Sequence, residues 1–165
     1  MSDSTTEQTT DTSAAPAALI TPEQLAETLN DRQLPGATLT IEDYESALAD
    51  YALVADTDDS GDAHPLWLLI LALRGMGISV DELCDLAAKR PQDTLLFGTC
   101  ELNQHRPLRP GRTFTVSAQV RPVSRKVSRT GGVLDFVTVQ TTVHDDSDND
   151  AVGDIVTGYI FKRGA

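Results

Sequence analysis

Residues 61–73 read Gly-Asp-Ala-His-Pro-Leu-Trp-Leu-Leu-Ile-Leu-Ala-Leu. A short polar constellation opens directly into a segment that is apolar on every side of a helix. Such a helix must be wrapped by the rest of its domain. A ligand-sized cleft beside it can hold an apolar chain, and the polar residues at its start can supply chemistry.

Working outward, Pro65 stands in the first turn of this helix, which is expected from about 66 to Arg74, with Gly75 and Gly77 ending it. Ser79-Val-Asp-Glu is a capping box in sequence and starts another helix through Ala88. Upstream, Thr21-Pro-Glu-Gln predicts a helix start with Thr as cap and Pro in the first turn, running to about Asn30. Pro35-Gly36 is expected to break the chain before a short strand at 37–41. Thr40 then caps a helix carrying Tyr44, Leu48 and Tyr51–Ala52 at helical spacing. The acidic residues Glu42, Asp43 and Glu45 suit the positive end of its dipole.

From Asp93 onward the period changes to two. Segments 94–105, 112–123, 132–145 and 151–163 are rich in Val, Thr, Ile and Phe. Phe114, Val116, Ala118 and Val120 share one face, as do Val133, Val137, Val139 and Val143. Turn chemistry at Arg109-Pro-Gly, Arg129-Thr-Gly-Gly and 145–150 separates these strands and predicts an antiparallel meander. The expected class is α+β: a curved antiparallel sheet of about five strands wrapped around a buried central helix. Sheet edges must be hidden, so edge-to-edge pairing with a second copy or a sister chain is expected.

The chain of 165 residues suits one domain, placed at 18–165, behind a leader of about 17 residues (1–17) that is polar, aperiodic and expected to be disordered. The leader lacks the basic start and apolar run of a secretory signal. The apolar run at 66–73 is far short of the ~20 residues that span a bilayer. A cytoplasmic protein with no membrane partner is expected. The net charge of −12 argues against nucleic acid. Ten Arg against three Lys suits a salt-loving host or a GC-rich genome. Cys84 and Cys100 have no metal or disulfide spacing and read as partly buried thiols, so no metal is expected. The acidic run at 145–150 lacks the glycine and terminal glutamate of a calcium loop, which favours a solvated hairpin tip. His105 and His144 read as hydrogen-bonded structural histidines.

Charge is uneven: seven arginines and Lys126 fall between Arg90 and Gly131, opposed there only by Asp93 and Glu101. This basic half is either a solvated strand face or an anion site for a phosphorylated carrier such as coenzyme A or an acyl-carrier prosthetic group.

Two stretches are similar to a known family. Gly61-Asp62-Ala63-His64-Pro65-Leu66-Trp67 resembles the motif Gly-Asp-x-Asn-Pro-x-His of the MaoC-like (R)-specific enoyl-CoA hydratases and 3-hydroxyacyl dehydratases, which have the hotdog fold. Gln104-His-Arg-Pro-Leu-Arg-Pro-Gly111, then Arg125-Lys126 and Arg129-Thr-Gly-Gly-Val-Leu-Asp-Phe-Val-Thr-Val, resembles that family's strand entry and basic Gly-Gly hairpin. The likeness covers roughly residues 36–163. In the family, the motif Asp and His act on a water that adds to an enoyl thioester, while backbone donors polarise the carbonyl.

Carried over, the resemblance puts Asp62 at the acidic position and Pro65 at the proline. His64 falls at the asparagine position and Trp67 at the histidine. An improvised Asp62–His64 dyad is one reading; Asp62 as a mere helix cap is another. Arg125, Lys126 and Arg129 are the candidate thioester-binding residues, for an acyl-CoA or acyl-carrier substrate without a separate cofactor.

The family often pairs a complete half with one that lacks the dyad and widens the acyl pocket. The resemblance therefore implies a non-catalytic or weakly catalytic subunit of a heteromeric hydratase in fatty-acid, polyketide or steroid side-chain metabolism, pairing as a heterodimer or homodimer. A self-sufficient hydratase and an acyl-CoA- or lipid-binding module without chemistry remain alternatives. A thioesterase is weaker, because 66–78 holds no carboxylate.

Overall fold

A computed structural model describes residues 18–55 and 60–164. The expected disordered leader, 1–17, lies outside the described residues.

The chain opens with α1 (Pro22–Leu29), where Thr21 forms a complete capping box with Gln24 and the helix buries Leu25 and Leu29. Then β1 (Gln33–Thr40) runs straight through Pro35-Gly36. The expected break is instead a bulge, with the register slipping between Leu34 and Ala37. Gly36 has φ +70°, and a Cβ there would lie 2.4 Å from the Val116 carbonyl oxygen, so only glycine fits. Thr40 caps nothing; its hydroxyl bonds that of Thr113 across the sheet at 2.9 Å. The cap of α2 (Asp43–Leu53) is Glu42, without a side-chain bond.

The apolar stripe of α2 faces outward. Tyr44, Leu48 and Tyr51 are 65%, 63% and 85% exposed, and the residue it buries is Ser46. Next come α3 (Trp67–Gly75) and α4 (Val80–Leu86), the latter with both halves of its Ser79–Glu82 capping box in place.

Three long strands and two shorter ones follow: β2 (Thr94–Gln104), β3 (Thr113–Val120), β4 (Ser124–Val127), β5 (Val133–Asp145) and β6 (Ala151–Arg163). The segment expected as one strand at 112–123 ends at Val120. Pro122 cannot continue a ladder, and the chain restarts as β4 against β5. The sheet therefore has six strands, all antiparallel, in the order β1-β3-β5-β6-β2, with β4 off this path. The meander expectation fails in one respect, because β2 crosses to the far side and pairs with β6.

The alternating residues predicted for the inner face of β3 are all buried, as are Val137, Val139 and Val143 of β5. Helix α3 lies in the concavity and packs on β1, β3, β5, β6 and β2. It is not enclosed on every side, however. Trp67, Leu68, Leu71, Ala72 and Gly75 are buried, while Leu69, Ile70 and Leu73 are only half-buried. The core has two parts. One joins α1 and α4 to Val137, Val139 and Phe161; the other joins α3 to Phe114, Val143 and Ile155.

The basic half is largely neutralised by acids from elsewhere in the chain. Arg112 meets Asp145, and Arg106 meets Asp148, which is held down at about 2 chiefly by that guanidinium. These pairs fasten the 145–150 hairpin tip. At the opposite end lies a buried clasp. Arg163 bonds Asp135 at 2.7 Å, Asp93 at 2.9 Å and the Ala87 and Ala88 carbonyls, and Arg90 closes on Asp93 and the Gly164 carbonyl. Burial alone would raise the Asp135 carboxyl, but hydrogen bonds from Arg125 and Arg163 outweigh it and hold the group below the usual carboxylate range.

Candidate functional site

A cleft of about 470 Å³ opens between α2, the 60–65 segment and the loop after β2. Its floor is fixed by backbone. Ala63 N–H donates to the Leu108 carbonyl at 2.7 Å in an isolated bridge, so the residues on either side of Ala63 are held against the 104–110 segment. Gly61 takes φ +69° in the preceding turn. The Asp62 N–H donates to the Ser60 hydroxyl at 3.1 Å.

Asp62 and His64 both line this cleft, so the structure brings the two sequence candidates together. Among the described residues no hydrogen bond joins their side chains. His64 Nδ1 accepts a hydrogen bond from the Leu66 N–H at 3.1 Å. That lone pair satisfies the start of α3, and the neutral ring then carries its proton on Nε2. The helix-capping role that sequence allows for Asp62 is not filled, since α3 has no side-chain cap and His64 bonds the N–H of Leu66, the residue before its first turn. Asp62 caps nothing, and Arg109 Nε lies 3.6 Å from Oδ1, an ion pair with no hydrogen bond. Oδ1 is closed to water and, among the described residues, accepts no hydrogen bond.

Trp67, which the resemblance sets at the position of the family's histidine, is 3% exposed and packs with Ile41, Ala63, Leu108 and Phe114. Among the described residues its indole N–H has no partner.

The other candidates sit elsewhere. Arg125, Lys126 and Arg129 lie on β4 and the turn after it, and none lines the cleft. Arg125 is committed to Asp135 by a bidentate pair at 2.5 and 2.7 Å, and Lys126 Nζ lies 5.1 Å over the Phe136 ring. Arg129 is exposed at the turn. His105 finds a partner far along the chain, Asp154 at 2.8 Å, which also accepts from Thr142. Both histidine and hairpin partners are products of strand pairing, invisible in local sequence.

Sequence reasoning missed the wall that α2 gives to the cleft, Asp43, Ser46, Ala47 and Asp50. Their spacing of three, four and seven was the available signal: a stripe of small and acidic residues opposite the apolar one. Cys84 is half-buried, whereas Cys100 is exposed on β2. Among the described residues no group of His, Cys, Asp or Glu could hold a metal ion, and no helix is long and apolar enough to cross a membrane.

Residues 70–153 match the family model for the FAS1-like dehydratase domain region. No curated protein matches the chain in sequence. Among solved structures, the chain is similar to the ChsH1-ChsH2 complex from Mycobacterium tuberculosis, with TM-score 0.64 at 13% identity over 87% of this chain and 90% of that one. The HadBC (3R-hydroxyacyl-ACP dehydratase) complex from the same organism gives 0.60 at 14% identity over 80% and 96%. A MaoC-like dehydratase gives 0.56 at 17% identity over 82% of this chain and 42% of that one. The sheet gripping α3 is a hotdog fold, and the chain belongs to the FAS1-like dehydratase-region family, within the MaoC-like hotdog proteins.

Proposed function

We propose that this chain is the non-catalytic or weakly catalytic half of a heteromeric (R)-specific enoyl-CoA hydratase/3-hydroxyacyl dehydratase, working on an acyl-CoA or acyl-carrier thioester in the cytoplasm. The observation that carries the reading is Trp67, buried where the family's proton-moving histidine would stand. Hydration of an enoyl thioester needs a base to take a proton from water and an acid to protonate the α-carbon. An indole N–H does neither. His64 does not replace it, because Nδ1 already accepts the Leu66 N–H and Nε2 holds the ring's proton. A self-sufficient Asp62–His64 enzyme is therefore the weaker alternative.

Two surfaces support a sister chain. Strand β2 is an eleven-residue edge exposed along almost its whole length. Its concave side carries Phe97, Cys100 and Leu102, in line with the half-buried Leu69, Ile70 and Leu73 of α3. An unprotected apolar edge of this length invites a strand from another chain. The ChsH1-ChsH2 and HadBC complexes are pairings of unlike chains on this fold. An acyl chain would then lie along α3 between the two halves. Lys126 and Arg129 remain available for thioester phosphates, while Arg125 acts by fixing the hairpin that carries them.

The test is co-expression with hotdog chains encoded nearby. A stable heteromer that hydrates an enoyl-CoA is expected. Failure of every such chain to associate removes the subunit role. Thermal stabilisation by acyl-CoA without turnover in any assembly would instead favour a binding module.

A further inference from the structure

The cleft beside Asp62 has a chemical bias that the thioester reading does not use. Asp43, Asp50 and Asp62 line it, and among the described residues that line it none is Lys or Arg. Gln104 donates its Nε2 to the Arg106 carbonyl, which leaves its Oε1 as an acceptor. Ser46 is 4% exposed yet lines the cleft, and among the described residues its hydroxyl makes no hydrogen bond. Asp62 keeps 27% of its side chain exposed at the cleft, and Arg109 Nε comes no closer to its Oδ1 than 3.6 Å.

Among the described residues Arg109 is the one cation that approaches, at 3.6 Å from Asp62, and most of it is in solvent. Arg74 is occupied by Glu45 on α2. The net charge of −12 adds to the negative potential at the cleft mouth.

We infer that this cleft binds the alkylammonium group of a small molecule, with Asp50 and Asp62 as counter-ions and the Ser46 hydroxyl as acceptor. A bare metal ion does not suit it, since among the described residues the carboxylates do not converge closely enough to hold one. A volume of about 470 Å³ is that of a small-molecule site. Coenzyme A phosphates are excluded from this wall by like charge and belong on another face of the protein.

The inference does not depend on the thioester reading. Binding of a free amine needs no sister chain and no turnover, so either can fail alone.

The experiment is calorimetry on the full chain with butylamine, putrescine and butyrate, joined to backbone amide shift mapping. Saturable 1:1 binding of the amines is expected, with shifts confined to α2, 60–67 and 104–110, and no binding of butyrate. Asp50→Asn should weaken the amines tenfold or more, and Ser46→Ala severalfold, with thermal unfolding of both variants unchanged. Raising salt should weaken binding as well. Equal binding of butyrate, absence of saturation, or amine affinity untouched by both Asp50→Asn and Asp62→Asn would overturn the assignment. So would calcium chloride producing the same shift footprint in place of the amines.

Discussion

The two ends of the sheet treat charge and apolar surface in opposite ways. At the α4 end, Asp93, Asp135 and Arg163 are sealed from water, each with partners on all sides, and the helices turn leucines inward. At the α2 end, tyrosines and a leucine face solvent while a serine is buried and carboxylates line an open cleft. A fully satisfied ionic network fixes one geometry, because any shift leaves a buried charge unpaired. An outward apolar stripe gains nothing from the chain's own fold. The contrast separates a closed, self-satisfied end from one whose apolar stripe has no partner among the described residues.

The sharpest way to break this contrast is to remove a charge at the closed end. Asp135→Ala leaves Arg125 and Arg163 without their carboxylate, and urea unfolding should show a loss of about 3–5 kcal/mol. A loss below 1 kcal/mol would mean the clasp is not what holds that end.

Acid should act on the same network. Asp93 and Asp135 are both held below the usual carboxylate value of about 4 by their arginines. A depressed folded pKa gives stability that is present above about 4 and lost as pH falls through the folded value. Unfolding midpoints should therefore hold down to about pH 4 and drop below it, and in Asp135→Ala the drop should be smaller.

A smaller effect is expected at the capping box of α4. Ser79→Ala removes the bond from the Glu82 N–H and should cost about 1 kcal/mol. The smallest lies on α2. Tyr51→Ser should change the stability of the lone chain by no more than about 0.5 kcal/mol, as for any surface position free of such features. A large loss there would show that the stripe already has a partner within the chain.

What could be read from sequence was whatever local physics decides. The caps at Thr21 and Ser79, the apolar alternation of β3 and β5, and the helix after Pro65 follow from neighbours a few residues apart. The Pro35-Gly36 bulge did not, because its cause is the Val116 carbonyl on another strand. Nor did the ion pairs: Arg125, Arg106 and Arg109 read as a basic patch until folding brings Asp135, Asp148 and Asp62 to them. At the site, the Gly61–Trp67 motif was legible and its chemistry was not. The capture of His64 Nδ1 by the Leu66 N–H depends on a backbone turn that spacing alone does not specify.

The purified chain, assayed alone for hydration of crotonyl-CoA, tests most directly the proposal that the dyad is missing. The rate should stay close to that of buffer, and Asp62→Asn should leave it unchanged. Turnover by the lone chain that falls about 100-fold in Asp62→Asn, the scale of a lost general base, would contradict it.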